Sequence, residues 1–71
     1  MNQLPNLRSE IMDVLIRIER LNELIQLHEH QASVDSLTVD GYERLREQYI
    51  SQLEDLLASL NIRAEIHLRA A

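Results

Sequence analysis

Cysteine, phenylalanine and tryptophan are absent from this chain of 71 residues, and glycine and proline occur once each. Without cysteine there can be no disulfide framework, no thiolate metal site and no cysteine nucleophile. A chain so poor in turn-forming residues is not typical of an all-β fold and favours a few long helices. Its length allows one domain at most. The sequence therefore predicts a single all-α domain over residues 1–71.

Lysine is also absent, so all seven basic residues are arginine, and the net charge is −5. An acidic chain without a basic cluster binds phosphate backbones poorly, and we expect no nucleic-acid partner. The longest unbroken apolar run, Val14–Ile16, is only three residues, so we expect no membrane-spanning segment. The first ten residues lack the basic start and apolar stretch of a signal peptide. We therefore expect a soluble, cytoplasmic protein.

Apolar residues recur at alternating spacings of three and four through the first half of the chain. This is the heptad pattern of a coiled-coil seam, and it predicts a helix over about residues 4–29. Pro5 would lie in the first turn, where its missing N–H costs nothing, and Asn2 or Asn6 could cap the helix. The seam consists of Leu4, Leu7, Ile11, Val14, Ile18, Leu21, Ile25, His28 and Ala32.

A second apolar stripe predicts a helix over about residues 38–61, after a loop over about residues 30–37. Thr38 is the expected N-cap, with Asp40 as a rival. A short connection between two helices of similar length makes them antiparallel neighbours. The predicted unit is an antiparallel helical hairpin.

Arg46 is the one charged residue that interrupts the second stripe. Its aliphatic stem could lie on the edge of the core while the guanidinium reaches water. Alternatively, Arg46 could form a buried ion pair with Glu19 or Glu23 that fixes the register of the two helices.

The C-terminal tail, residues 62–71, alternates apolar and polar side chains from Ile62 to Ala70, which is the period of a half-buried strand. Its helix-forming composition and the Glu65–Arg69 pair favour a helical extension instead. We expect a helical or frayed tail, with a strand as the close alternative. A strand here would need a mate from another subunit or another protein.

The first helix has more apolar surface than one neighbour can cover, because ten of the twenty residues from Ile11 to His30 are aliphatic or Met. Docking two hairpins into a homodimeric, coiled-coil-like four-helix bundle would cover the flanks of the seam. A parallel pair of first helices, or a different protein as partner, would also do so. The predicted self-association or partner face consists of Met12, Leu15, Ile16, Leu24, Leu27, Tyr42, Tyr49, Ile50 and Leu57.

No chemistry-bearing motif accompanies these helices. His28, His30 and His67 lack the spacing of metal ligands, and no hydroxyl stands in a nucleophile motif. We therefore expect no enzyme, no metal and no cofactor. The expected function is that of a protein–protein interaction module, a small adaptor, assembly or regulatory protein. Its partner would be a second copy, or another protein bound through the apolar flanks or the tail.

The stretch Tyr49–Leu57, YISQLEDLL, resembles the second helix of the small helical-hairpin aspartyl-phosphate phosphatases of sporulation phosphorelays. Their motif reads Ser-Gln-Glu-Leu-Asp, whereas Ser51–Asp55 reads Ser-Gln-Leu-Glu-Asp, with Leu and Glu exchanged. The resemblance covers five residues and implies a phosphorelay regulator as an alternative function. The exchange turns the carboxylate toward a different face of the helix.

Overall fold

Two long helices make up most of the chain. The computed structural model describes residues 4–31 and 35–68, with α1 at Leu4–Glu29 and α2 at Ser36–Ala58. The pairs His28–Tyr42 and Arg17–Tyr49 run in opposite order along the two helices, so α1 and α2 are antiparallel. The prediction of an all-α helical hairpin is therefore confirmed. The molecule is elongated, with extents of 52 × 19 × 16 Å.

The core lies along the heptad seam of α1. The seam residues project from one face of the helix because spacings of three and four average close to one helical turn. Both helices contribute aliphatic side chains, and no polar or charged residue among those described is buried with them. The buried residues are Val14, Ile18, Leu21, Ile25, Val39, Ile50 and Leu53.

The start of α2 differs from the prediction, because Asp35 rather than Thr38 or Asp40 is the N-cap. Asp35 Oδ1 accepts hydrogen bonds from the backbone N–H groups of Leu37 (3.1 Å) and Thr38 (3.3 Å). The other carboxylate oxygen accepts one from Thr38 Oγ1 at 2.6 Å. Since this carboxylate satisfies amides that lack partners within the helix, α2 begins at Ser36, two residues earlier than expected.

The structure tests two of the three residues predicted to lie at the start of α1. Asn6 lies inside the helix and therefore is not its cap. Asn2 lies outside the described residues. Pro5 is in the first turn, as predicted, where no intrahelical hydrogen bond is lost.

A tight turn at Asn61 ends α2 and reverses the chain. Asn61 has a φ of 62°, in the left-handed region that asparagine tolerates better than most residues. Its N–H donates to Ala58 O, and Ile62 N–H donates to Leu57 O, both at 3.0 Å. These two bonds form a Schellman motif, which directs the tail back along the hairpin.

The described part of the tail, residues 62–68, is neither helical nor paired in a ladder, so the expected helical extension is wrong there. Ile66 N–H donates to Glu54 Oε2 at 2.9 Å. Because Ile62 is bonded to Leu57 and Ile66 to Glu54, the tail runs back along the last turns of α2. Ile66 and Leu68 pack against the core cluster of Val14, Ile18, Ile50 and Leu53.

Arg46 does not form either predicted arrangement. Its Nη1 donates a hydrogen bond of 2.8 Å to Asn22 Oδ1 across the interface between the helices. The guanidinium is therefore bound to a neutral amide of α1, and not to Glu19 or Glu23. Arg46 Nε is buried and has no hydrogen-bond partner.

Candidate interaction surface

Three large apolar side chains project from the side of α1 that faces away from the core. Met12, Leu15 and Ile16 are 56%, 42% and 53% exposed. Spacings of three and four place them together on one helix surface. We call these three residues the α1 outer patch. Because α2 contacts the opposite side of α1, it leaves this patch open.

Leu27 belongs to the same side of α1 but is separated from the patch. It is 60% exposed and lies eleven residues, or about 16 Å, beyond Ile16 along the helix. The exposed carboxylates of Glu19 and Glu23 lie between them. The predicted face on α1 is thus two apolar areas with a charged stretch between them.

The other residues of the predicted face are less available. Leu24, Tyr42, Tyr49 and Leu57 are half-buried. Leu57 packs against the core cluster, so most of its surface serves the hairpin itself.

The two tyrosines contact charged or titratable neighbours of α1. The Arg17 guanidinium carbon lies 5.6 Å from the centre of the Tyr49 ring, a distance typical of a cation–π contact. The Tyr42 and His28 rings are 5.5 Å apart and tilted by 45°. Both tyrosines thus join α1 to α2 along one flank of the hairpin.

Ile50 is a correction to the predicted face. It was predicted to contribute to the self-association or partner face, but it is only 3% exposed. It packs with Val14, Ile18 and Leu53 in the core cluster. The tail covers this part of the hairpin, because Ile66 and Leu68 pack against the same cluster.

Three exposed apolar residues were not part of the predicted face. Leu37 is 81% exposed at the start of α2, and Leu45 and Ile62 are also exposed. A projection that began α2 at Ser36 instead of Thr38 would have placed Leu37 on the helix, away from the core.

Leu15, at one margin of the α1 outer patch, lies on the same flank of the hairpin as the tail. Leu15 and Arg17 are two residues apart, so they lie on opposite flanks of α1, about 160° around the axis. Tyr49 and Glu54 are separated by about 140° around α2 in the same way. Because Arg17 lies over Tyr49, Leu15 lies on the flank where Glu54 binds the tail.

The chain exposes more surface than a compact protein of its mass. Its accessible surface is 5772 Å². A compact monomer of this mass would expose about 4,600 Å², so the excess is about 1,200 Å². The elongated shape of the hairpin contributes to this difference.

The segment Ser51–Asp55, which resembles the phosphatase motif, is used structurally here. Leu53 occupies the position of the motif's Glu and is 5% exposed in the core. The carboxylate of Glu54 accepts the hydrogen bond from the tail. The segment thus stabilises the hairpin and its tail.

Within residues 4–31 and 35–68, no three histidine or carboxylate side chains come together as a metal site would require. Neither α1 nor α2 combines the length and the apolar character that a bilayer-crossing helix needs. No protein-family model, curated protein or solved structure matches the chain.

Proposed function

We propose that the chain is a non-enzymatic protein–protein interaction module that acts as a homodimer. The observation that carries the proposal is the α1 outer patch, three large apolar side chains that the hairpin leaves open. Interaction sites of folded proteins often contain clustered apolar side chains of this kind. In the proposed assembly two hairpins pack into a four-helix bundle, with the α1 outer patch of each near its centre. The proposal includes a cytoplasmic location and a role as a small adaptor, assembly or regulatory protein.

The amount of exposed surface is sufficient for an interface with a second copy. Removing the excess of about 1,200 Å² from each chain would bury about 2,400 Å² in total, which is the size of a stable homodimer interface. Such interfaces are closed by a two-fold axis, so the same patch serves on both copies. Burying Ile16 and its neighbours would contribute about 1.5–3 kcal/mol for each fully buried side chain.

The proposal is tested by the molar mass of the chain, measured by light scattering on a sizing column over a dilution series. We expect a dimer that dissociates only at low concentration. Ile16→Ser should raise the dissociation constant at least about tenfold, because one apolar side chain is lost from each copy. Circular dichroism should show unchanged helicity, since Ile16 is 53% exposed in the hairpin.

Leu37→Ser provides a matched control. Leu37 is even more exposed than Ile16 but lies on α2, away from the α1 outer patch. We expect no change in its dissociation constant. A helical monomer at every concentration, or equal effects of the two substitutions, would contradict the proposal. A monomer of low helicity would indicate that a different protein covers the patch.

A further inference from the structure

Two exposed residues of opposite charge stand on either side of the α1 outer patch. Arg8 precedes Met12 by four residues, and Glu19 follows Leu15 by four residues. Residues spaced by four, three and four lie in one row, here within about 60° around the helix axis. The patch therefore has a positive charge toward the start of α1 and a negative charge toward its end.

This row has the same spacings when it is read in either direction. Its midpoint is halfway between Met12 and Leu15. The same point is halfway between Arg8 and Glu19. A two-fold axis through this point, perpendicular to α1, places the row beside a reversed copy of itself. The row is therefore complementary to itself in its apolar contacts and in its charge.

We propose that the α1 helices of two copies pack antiparallel through the α1 outer patch, with the two-fold axis at the midpoint of this row. Met12 of each copy then lies opposite Leu15 of the other, and Arg8 lies opposite Glu19. Ile16 packs beside Met12 of the other copy. This inference rests on the proposed homodimer and specifies the orientation and register of its interface.

Charge complementarity favours this arrangement over its alternatives. In a parallel pair across the same face, Arg8 would face Arg8, and Glu19 and Glu23 would each face their own copies. In an antiparallel pair shifted by one heptad, Leu15 would face Glu19, or Met12 would face Arg8, depending on the direction of the shift. Of these arrangements, only the unshifted antiparallel pair joins apolar residues to each other and opposite charges to each other.

The rest of the hairpin leaves this face of α1 accessible. Since α2 packs on the seam side of α1, the two α2 helices lie outside the pair of α1 helices. The tail packs against a core cluster to which both helices contribute, so it lies in the groove between α1 and α2. Met12 and Ile16 are each more than half exposed, so neither α2 nor the tail covers them.

Charge reversals in the full-length chain test the register. Arg8→Glu should raise the dimer dissociation constant about tenfold at low salt, because two attractive pairs become repulsive. Glu19→Arg should do the same. The double variant R8E/E19R restores both pairs in reversed order, and its dissociation constant should return to within about threefold of the original. The two residues of one chain are about 16 Å apart along α1, so recovery reports a contact between copies.

The controls make the same changes of charge on the other helix. Arg44→Glu and Glu43→Arg alter exposed residues of α2 and should leave the dissociation constant unchanged. Circular dichroism on every variant checks that the helices persist.

Leu27→Ser distinguishes the two orientations with an apolar residue. Leu27 is 60% exposed on the same side of α1, but in the proposed register no described helical residue of the other α1 lies opposite it. Its substitution should therefore raise the dissociation constant less than Ile16→Ser does. In a parallel pair, Leu27 would face its own copy, and the two substitutions would weaken the dimer to a similar extent.

A distance between spin labels, measured by double electron–electron resonance, reports the orientation directly. Because the chain has no cysteine, Gln26→Cys gives each copy a single label at an exposed residue of α1. In the proposed register the two labels are about 37 Å apart along the helix axes, since position 26 lies level with position 1 of the other copy. In a parallel pair they would be less than about 25 Å apart. Labels at Asp13→Cys, close to the two-fold axis, should be less than about 25 Å apart in either orientation.

The outcomes separate this inference from the proposed function. Weakening by both single reversals, recovery in the double variant and the long distance at position 26 support the antiparallel pair. Single reversals without effect, in a dimer that Ile16→Ser still weakens, would overturn the register and leave the homodimer intact, as would absence of recovery in the double variant. A short distance at position 26 would overturn the orientation. A monomer at all concentrations would overturn both proposals.

Discussion

Arg46 Nη1 donates a 2.8 Å hydrogen bond to Asn22 Oδ1 and so joins α2 to α1 at a polar point within an apolar interface. The Nε of the same guanidinium is buried without a partner. A cation at this position thus has one interhelical acceptor and one unsatisfied donor. We therefore expect loss of Asn22 to cost more stability than loss of Arg46.

Asn22→Ala should lower the free energy of unfolding by about 1–2 kcal/mol, because the guanidinium loses its interhelical acceptor. Arg46→Met should cost less, since an unbranched apolar side chain of similar length fills the same space. Urea unfolding at one fixed protein concentration measures both, because dimerisation also contributes to stability. If Asn22→Ala costs as much in the Arg46→Met background as in the original chain, the two side chains are not coupled.

Acid should weaken the cap of α2. Hydrogen bonds from the Thr38 side chain and then its backbone amide hold the pKa of Asp35 below its ordinary value of 3.8. Because the folded state binds this proton less readily than the unfolded state, the stabilisation is present above the ordinary pKa and is lost as the pH falls through the lowered one.

The thermal midpoint at pH 7 and at pH 3 measures this contribution. The difference between the original chain and Asp35→Asn should shrink on acidification, since the amide does not titrate. The same substitution at the exposed Asp13 of α1 serves as the comparison. If the difference in thermal midpoint between the original chain and Asp35→Asn is the same at both pH values, the carboxylate is not the group that caps α2.

Removal of the Glu54 carboxylate should loosen the tail. Glu54→Ala deprives Ile66 N–H of its acceptor, so we expect a loss of about 1 kcal/mol and faster exchange of that amide. Glu54→Gln keeps an acceptor oxygen and should have a smaller effect. Exchange is followed residue by residue by nuclear magnetic resonance, with Glu47→Ala as control. Unchanged exchange at Ile66 in Glu54→Ala would disprove the contact.

The turn at Asn61 should be sensitive to the type of residue. Asn61→Ala should lower the free energy of unfolding by about 1 kcal/mol, because alanine tolerates a φ of 62° less well. Asn61→Gly should be close to neutral, since glycine adopts this conformation without strain but is more flexible when unfolded. Asn6→Ala, the same substitution at an exposed helical residue of α1, is the matched control in the same urea series. If both alanine substitutions lower the free energy of unfolding equally, the positive φ of residue 61 does not strain alanine.

Patterns that depend on one helix alone were read correctly from the sequence. The alternating spacings of α1 identified Val14 and Ile18 as core residues, because the period of an amphipathic helix shows which residues share a face. The position of α2 was predicted less well at its ends. Capping depends on which of several nearby polar side chains reaches the free amides. In the structure this residue is Asp35, and not Thr38 or Asp40.

The tail shows why some features could not be predicted. Its alternation of apolar and polar residues was visible, but a helical extension was also compatible with the residue types. The hydrogen bond from Ile66 to Glu54 and the packing of Ile66 on the core cluster join residues distant in the chain. Local propensity contains no information about such contacts. For the same reason Ile50 was assigned to an open face, although the tail covers that part of the hairpin.

The sequence by itself determined that this protein forms two amphipathic helices with a surplus of apolar side chains, because periodicity and composition are properties of the local chain. It also determined that α1 carries apolar residues on the side opposite its seam. Only the tertiary structure decided which of these residues stay exposed, how Arg46 is bound and where the tail lies. Each of those depends on which surfaces meet when α1, α2 and the tail pack together.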